Sequence, residues 1–184
     1  MKTYAADIQS LLQTVLDCGA DGAAPLKADA VIVSEEFRKI CQSNGCGAYN
    51  RCYMCPPDIG PIEELMAKVK SYTDAVLYQS VSCIDDPFDF EGMMQAGHNH
   101  TLLSQKIHRQ IKQDLPADFL HLSSGGCHIC QTCAKQENLP CRHPELALAG
   151  MEGYGIDVYQ TAASTHLKYI NGQNTVTYFG IILF

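Results

Sequence analysis

The placement of the cysteines constrains this chain more than any other feature, because eight of its ten cysteines lie in two short segments. The first cysteine segment contains Cys41, Cys46, Cys52 and Cys55. The second cysteine segment contains Cys127, Cys130, Cys133 and Cys141. In a reducing compartment, thiols at this density indicate metal or redox chemistry, whereas in a small secreted protein they would indicate disulfides.

The amino-terminal residues 1–22 favour the reducing compartment. A signal peptide needs an unbroken apolar stretch, but Asp7, Gln9 and Gln13 interrupt this one. Apolar residues recur between them at helical spacing, which predicts an amphipathic helix that ends near Gly19. We therefore expect a cytoplasmic protein with free thiols.

Length and charge exclude several classes of protein. A chain of 184 residues with 46% hydrophobic residues suits a single domain spanning residues 1–184. The net charge of −7 argues against a nucleic-acid partner, since phosphate binding needs a clustered basic surface. The chain lacks the apolar run of about 18 residues that a membrane-spanning helix requires.

The second cysteine segment follows the pattern C-x2-C-x2-C-x7-C, and Gly125 and Gly126 precede it. Structural zinc sites usually take their ligands as two separated pairs, whereas three evenly spaced cysteines suit a [4Fe–4S] cluster, as in bacterial ferredoxins. The long gap before Cys141 would let this fourth thiol return to the same centre. We expect one metal centre here, with iron–sulfur favoured over zinc. The nearby His128 and His143 are interpreted as exposed polar residues.

The first cysteine segment leaves more alternatives open. Its cysteines form two pairs whose gaps fall within the range of zinc ligands, and they could equally surround a second [4Fe–4S] cluster. A third alternative is that three of the four bind and leave one iron open to a substrate. We expect this segment to form a second centre, separate from the first. Cys18 and Cys83 are interpreted as small buried residues, and His98 and His100 as solvated surface.

The pattern of the chain predicts a compact α/β sandwich, in which helices and two cysteine-rich metal-binding loops flank a mixed β-sheet. The expected strands lie at residues 30–33, 74–81, 118–122 and 176–184, and Asn171–Gly172 is typical of a hairpin turn. The expected helices cover 34–41, a stretch that has Pro61 as its first residue, 92–114 and 143–155, and Asp157 is expected to cap a further turn or two.

The stretches "CGAYNRCYMCPP" and "GGCHICQTCAKQENLPCRHPELALAGMEGYGIDV" carry a resemblance. From about Cys41 to Phe184, the chain resembles a family of predicted metal-binding proteins of unknown function from anaerobic bacteria and archaea. The resemblance implies a metal site, most plausibly [4Fe–4S], built from Cys127, Cys130, Cys133 and Cys141. It implies no particular reaction.

Three functions fit these features. The leading hypothesis is a protein with one or two [4Fe–4S] clusters that passes electrons to a redox protein partner, whose basic face would complement the acidic chain. The second is a redox enzyme with an open iron or a bound cofactor to reduce. The third is a structural zinc module or metallochaperone, with zinc most plausible at the first cysteine segment. The sequence contains no fingerprint of a nucleotide-binding site and identifies no catalytic residue.

Overall fold

The computed structural model describes residues 4–113, 115 and 118–184, with side chains from Ile8 onward. The expectations for residues 1–3 and for the end of the 92–114 helix at Asp114 lie outside these residues. The α-helices are α1 (Tyr4–Asp17), α2 (Glu36–Gln42), α3 (Ile62–Ser71), α4 (Phe90–Ile111) and α5 (Val158–Ala163). The strands are β1 (Gly22–Lys27), β2 (Asp74–Cys83), β3 (Leu120–Leu122) and β4 (Thr175–Leu183).

The four strands form one sheet in the order β1-β2-β4-β3, and every neighbouring pair is antiparallel. Ala75 lies opposite Leu183 in the central pair, and Leu183 also lies opposite Leu120. The predicted α/β class with a single sheet is confirmed. The sheet is antiparallel rather than mixed, because the long connection from β1 to β2 starts and finishes at the same end of the sheet. The sequence of such a long connection does not indicate whether the two strands it joins run parallel or antiparallel.

Side chains of the central strands alternate between two cores. Val76 and Tyr78 face α1 and α4, whereas Ala75 and Leu77 face the opposite layer. The first core also contains Leu11, Val15, Ile107, Ile111 and Ile182, and the second also contains Val69, Leu122, Met151, Ile156, Ala162, Phe179 and Ile181. The cysteine segments are attached to the second layer, which consists mainly of short helices and irregular chain.

The expected strand at residues 30–33 is wrong. Residues Ala28–Ala30 form a 3₁₀ turn, and Val33 makes an isolated bridge to Ile156. The first strand instead covers Gly22–Lys27 and contains Pro25. A proline is tolerated in a strand at the edge of a sheet, because its missing N–H can face away from the neighbour. Because proline is uncommon in strands, Pro25 prevented the prediction of this strand from the sequence pattern.

The expected helix at residues 143–155 is also wrong. Its final residues Met151–Tyr154 form one 3₁₀ turn, and Gly150 makes a parallel bridge to Ser123. Gly155 follows with a φ of +75°, a conformation that glycine adopts at little cost. Three glycines within six residues oppose a longer helix, and the irregular backbone brings this segment against the second cysteine segment.

The interpretation of His100 as solvated surface is wrong, because its side chain is 1% exposed. Its Nε2 lies 3.0 Å from the carbonyl oxygen of Phe179 and therefore donates, so Nδ1 accepts from the hydroxyl of Ser80 at 2.8 Å. Both ring nitrogens are thus satisfied with the ring neutral. Burial lowers the pKa of His100 to about 4.

Several local predictions are confirmed. Helix α3 begins immediately after Pro61, and the Asp157 carboxylate accepts a hydrogen bond from Gln160 N at 2.9 Å at the start of α5. The hairpin expected at Asn171–Gly172 is wrong: Gly172 has a φ of +126° in a turn, but within the described residues this turn precedes β4 without a strand on its other side. None of the described helices combines the length and apolar character needed to cross a membrane.

Candidate metal centre

The two cysteine segments start from different parts of the fold. Cys41 lies in the last turn of α2, whereas Cys127 follows β3 at the edge of the sheet. The base of the second segment is held by two backbone hydrogen bonds, from Ser123 N to Ala149 O at 2.9 Å and from Met151 N to Ser123 O at 2.8 Å. Regular structure therefore anchors the entry of each segment, and the segments themselves are loops.

Side-chain contacts fasten the two segments to each other. Both Nε and Nη2 of Arg51 donate to Oε1 of Gln136, at 3.2 and 2.7 Å. The hydroxyl of Tyr53 donates to the carbonyl oxygen of Leu139 at 2.9 Å. Asp58 and Lys135 form an ion pair in which both side chains are mostly buried. These contacts join residues that are far apart in the chain, so the two segments form one structural unit.

A small cavity of about 20 Å³ lies between the segments. Its sulfur lining is formed by Cys52 of the first segment together with all four cysteines of the second, Cys127, Cys130, Cys133 and Cys141. The structure thus brings together the four cysteines predicted for one centre. It also places a fifth thiol beside them, which the spacing of the sequence did not indicate.

Cys52 connects the two groups of thiols. Its side chain is 6% exposed, and its Sγ lies 4.0 Å from the carbonyl oxygen of Cys127. Side-chain hydrogen bonds with Cys127 and Cys55 lower the pKa of Cys52. The same hydrogen bonds raise the pKa of Cys127 and of Cys55. A bound metal cation would favour the ionised form of thiols that lie this close together.

A positive charge lies at the other side of the small cavity. The Arg142 guanidinium donates a hydrogen bond to Cys130, and this contact raises the pKa of Arg142. Its Nη1 also donates to the carbonyl oxygen of Thr132 at 3.0 Å, and its Nη2 pairs with Glu137. Arg142 thereby holds the outer turn of the second segment in place.

The other three cysteines of the first segment, Cys41, Cys46 and Cys55, line a much larger cavity of about 440 Å³. Backbone of glycine residues forms part of its wall, and Met54 separates it from the small cavity, since Met54 lines both. A Cβ at Gly126 would lie only 3.2 Å from the Sγ of Cys55, so glycine permits this close approach. The four cysteines of the first segment therefore divide three to one between the two cavities.

Sequence reasoning missed two charged residues, one that lines the large cavity and one that lies behind its wall. Glu152 lines the cavity, accepts hydrogen bonds from Gly125 N at 3.3 Å and Ser124 Oγ at 3.4 Å, and has its pKa raised by burial. Arg38 is 8% exposed and donates to the carbonyl oxygens of Gly60 and Gly153 at 3.0 and 2.9 Å. Neither residue stands in a recognisable motif, so their roles emerge only from the folded chain.

The donor set fits a metal held by thiolates, since eight sulfurs surround two neighbouring cavities. The sulfurs are not, however, gathered around a single point. In the described part of the chain, no group of three or more His, Cys, Asp or Glu side chains is spaced to hold a single metal ion. A zinc ion requires four ligands at about 2.3 Å, so the loops would have to contract around it. A cluster, in which each thiolate binds a different iron, tolerates wider spacing.

The interpretations of the other histidines and cysteines are partly confirmed and partly wrong. His128 is exposed, as expected, at the rim of the large cavity, while His143 is half-buried and lines the small one. Cys18 is half-buried against the core between α1 and α4. Cys83 is exposed at the end of β2, so its interpretation as a buried residue is wrong.

Comparison with known proteins agrees with the donor chemistry. No curated protein and no solved structure matches the chain significantly. A family model described as "predicted metal-binding protein (DUF2284)" matches residues 24–184, which include both cysteine segments and the whole sheet except its first two residues. The chain therefore belongs to this family of predicted metal-binding proteins.

Proposed function

We propose that this protein binds iron–sulfur clusters and passes electrons to a redox protein partner. One observation carries the proposal: thiols from both cysteine segments line two cavities that are adjacent at Met54, which lines both. The ligands proposed for a [4Fe–4S] cluster are the four cysteines of the second segment, Cys127, Cys130, Cys133 and Cys141. The first segment supplies the ligands of a second centre, which is either another cluster or zinc.

The contact between the two groups of thiols supports electron transfer. When bound, a [4Fe–4S] cluster supplies an electron acceptor and donor of tunable potential. The chain contributes burial at Cys52 and Cys55, which are 6% and 8% exposed, and a neighbouring cation at Arg142. Burial and charge both change the reduction potential of a centre. Two centres in neighbouring cavities would exchange electrons through the protein rather than through solvent.

The net charge of the chain indicates which kind of redox partner it would bind. The net charge of −7 would attract a redox protein with a basic face and speed their encounter. The cytoplasm is the compartment in which free cysteines of this density persist, and we propose it as the location. The described cysteines are all unpaired, as this location requires.

A redox enzyme is the second candidate, and the large cavity is the observation that favours it. A volume of about 440 Å³ falls within the usual range for small-molecule sites, and three thiols line it. An electron-transfer protein has no need of such a space beside its metal centre. Under this proposal, the centre of the second segment delivers electrons to chemistry in the large cavity.

Anaerobic purification followed by iron, sulfide and zinc analysis tests the proposed function. We expect roughly eight irons per chain, or four irons and one zinc, with sulfide matching iron. Brown protein with an absorption band that bleaches on reduction would accompany this result. Colourless protein with zinc and no sulfide would overturn the iron–sulfur proposal and favour a structural zinc module or metallochaperone.

A further inference from the structure

We infer that the large cavity is a binding site for a small molecule that carries a protonated amine on an apolar body, and that the Glu152 carboxylate binds the amine. The inference goes beyond the proposed function, because it does not require a metal ion at either cysteine segment. It assigns a class of ligand to the cavity and a binding role to Glu152.

The size and the wall of the large cavity are the first step. Its volume of about 440 Å³ falls within the range of about 300–1,000 Å³ that is usual for small-molecule sites. Such sites combine a mainly apolar wall with a small number of polar groups that orient the ligand. Here the apolar surface comes from Ile40, Ala48, Met54 and Pro56. An apolar body therefore fits the wall, and the polar groups decide the rest of the ligand.

The charges at the wall are the second step. Among the described residues that line the cavity, Glu152 is the one carboxylate, and none is a lysine or an arginine. The three cysteines of the wall can be neutral or negative but never positive. His128 lies at the exposed rim rather than in the interior. The interior of the cavity therefore favours a cation and opposes an anion.

The contacts of Glu152 are the third step. Its Oε1 accepts from Ser124 Oγ at 3.4 Å and its Oε2 accepts from Gly125 N at 3.3 Å, so both hydrogen bonds are long and come from neutral donors. Within the described part of the chain, its carboxylate forms no ion pair. A half-buried carboxylate with only these contacts retains capacity for a stronger donor. An ammonium group on a ligand would supply N–H donors and the missing positive charge.

Arg38 is the internal cation that could have neutralised Glu152, but its guanidinium is directed elsewhere. Its Nη1 and Nη2 donate to the carbonyl oxygens of Gly60 and Gly153, at 3.0 and 2.9 Å. These hydrogen bonds hold Arg38 behind the wall, and its side chain does not line the cavity. The Glu152 carboxylate is therefore accessible to a ligand rather than paired within the chain.

Isothermal titration calorimetry of the anaerobically purified protein with benzylamine tests the inference, and benzyl alcohol and benzoate are the matched neutral and anionic probes. At neutral pH, benzylamine should bind saturably at one site per chain, benzyl alcohol at least about 10-fold more weakly, and benzoate without measurable affinity. Glu152→Gln keeps the shape of the side chain. It should weaken benzylamine by at least about 10-fold and leave the affinity for benzyl alcohol unchanged. Glu145→Gln, at an exposed position outside the cavity, is the control and should bind all probes as the natural protein does.

A second variant tests the location independently of Glu152. Ala48→Leu narrows the cavity and should weaken benzylamine and benzyl alcohol together. Unchanged affinity of Ala48→Leu for both probes would overturn the site. Equal affinity for benzylamine in Glu152→Gln and the natural protein would overturn the role of Glu152, as would tighter binding of benzoate than of benzylamine.

Metal analysis of the same samples separates this inference from the proposed function. Loss of metal from Glu152→Gln would make the carboxylate a metal ligand and would overturn the inference. Protein that contains iron and sulfide but binds no benzylamine would overturn the inference alone. Metal-free protein that binds benzylamine through Glu152 would overturn the proposed function alone.

Discussion

The Sγ of Cys52 lies 4.0 Å from the carbonyl oxygen of Cys127, although 75 residues separate the two in the chain. This contact joins the cysteine segments at the small cavity, which both residues line. The two groups of thiols are therefore neighbours within one structural unit.

We predict that Cys133→Ser removes the metal of the second-segment centre and lowers the stability of the protein. A hydroxyl is a poor substitute for a thiolate, and the free energy of metal binding is also free energy of folding. Metal analysis and thermal unfolding measure both effects. Cys83→Ser is the matched control, since Cys83 is exposed at the end of β2. A full metal complement and unchanged stability in Cys133→Ser would exclude this thiol as a ligand.

Tyr53→Phe should loosen the contact between the two segments without touching a thiol. The substitution removes the hydrogen bond to the carbonyl oxygen of Leu139 and is expected to cost about 1 kcal/mol of unfolding free energy. The metal should also transfer faster to a chelator, because the loops separate more often. Urea unfolding and chelator kinetics test this. The exposed Tyr159, changed to Phe, provides the control, and equal chelation rates in the two variants would contradict the role given to Tyr53.

Gly150→Ala is predicted to disturb the support of the second segment. A Cβ at this position would overlap the carbonyl oxygen of Gly125 and lie 2.6 Å from Oε2 of Glu152, so the backbone must move. Overpacking of this kind typically costs about 1–3 kcal/mol. Unfolding by urea should detect it, along with reduced metal content. Gly45→Ala is the control, because a Cβ there meets no atom within 4 Å. Equal stability of the two variants would refute the packing argument.

The buried His100 predicts a loss of stability in mild acid. Its pKa is about 4 in the folded protein, below the usual value of 6.5, so the unfolded chain binds more protons between these values. The contribution of neutral His100 to the free energy of unfolding is complete above pH 6.5. It is lost as the pH falls toward 4, by an amount on the order of 3 kcal/mol. The neighbouring His121 contributes in the same direction, since burial lowers its pKa as well.

Comparison of unfolding free energies between pH 7.5 and 4.5 tests this prediction. His100→Gln should be less stable than the natural protein at neutral pH, because Ser80 and Phe179 lose well-placed partners. It should also show a weaker dependence on pH. His166→Gln, at an exposed position, controls for the loss of a histidine. Identical pH dependence in the natural protein and His100→Gln would contradict the assignment.

Secondary-structure features that depend on neighbouring residues in the chain were predictable from the sequence. The apolar run of β4, the start of α3 after Pro61 and the cap at Asp157 each depend on neighbours in the chain. The strand β1 and the irregular chain at residues 143–150 were not predictable. Pro25 is acceptable only because β1 lies at the edge of the sheet, and local pattern cannot reveal an edge.

The amino-acid sequence by itself determined the chemistry of this protein: two dense groups of thiols, a family of metal-binding proteins and a class of fold. The tertiary structure alone decided that the groups adjoin, that Cys52 accompanies the second group, and that Glu152 and Arg38 lie beside the first. The physical reason is that residue type fixes which metal a side chain can bind, whereas the partners of that side chain depend on contacts between segments distant in the chain.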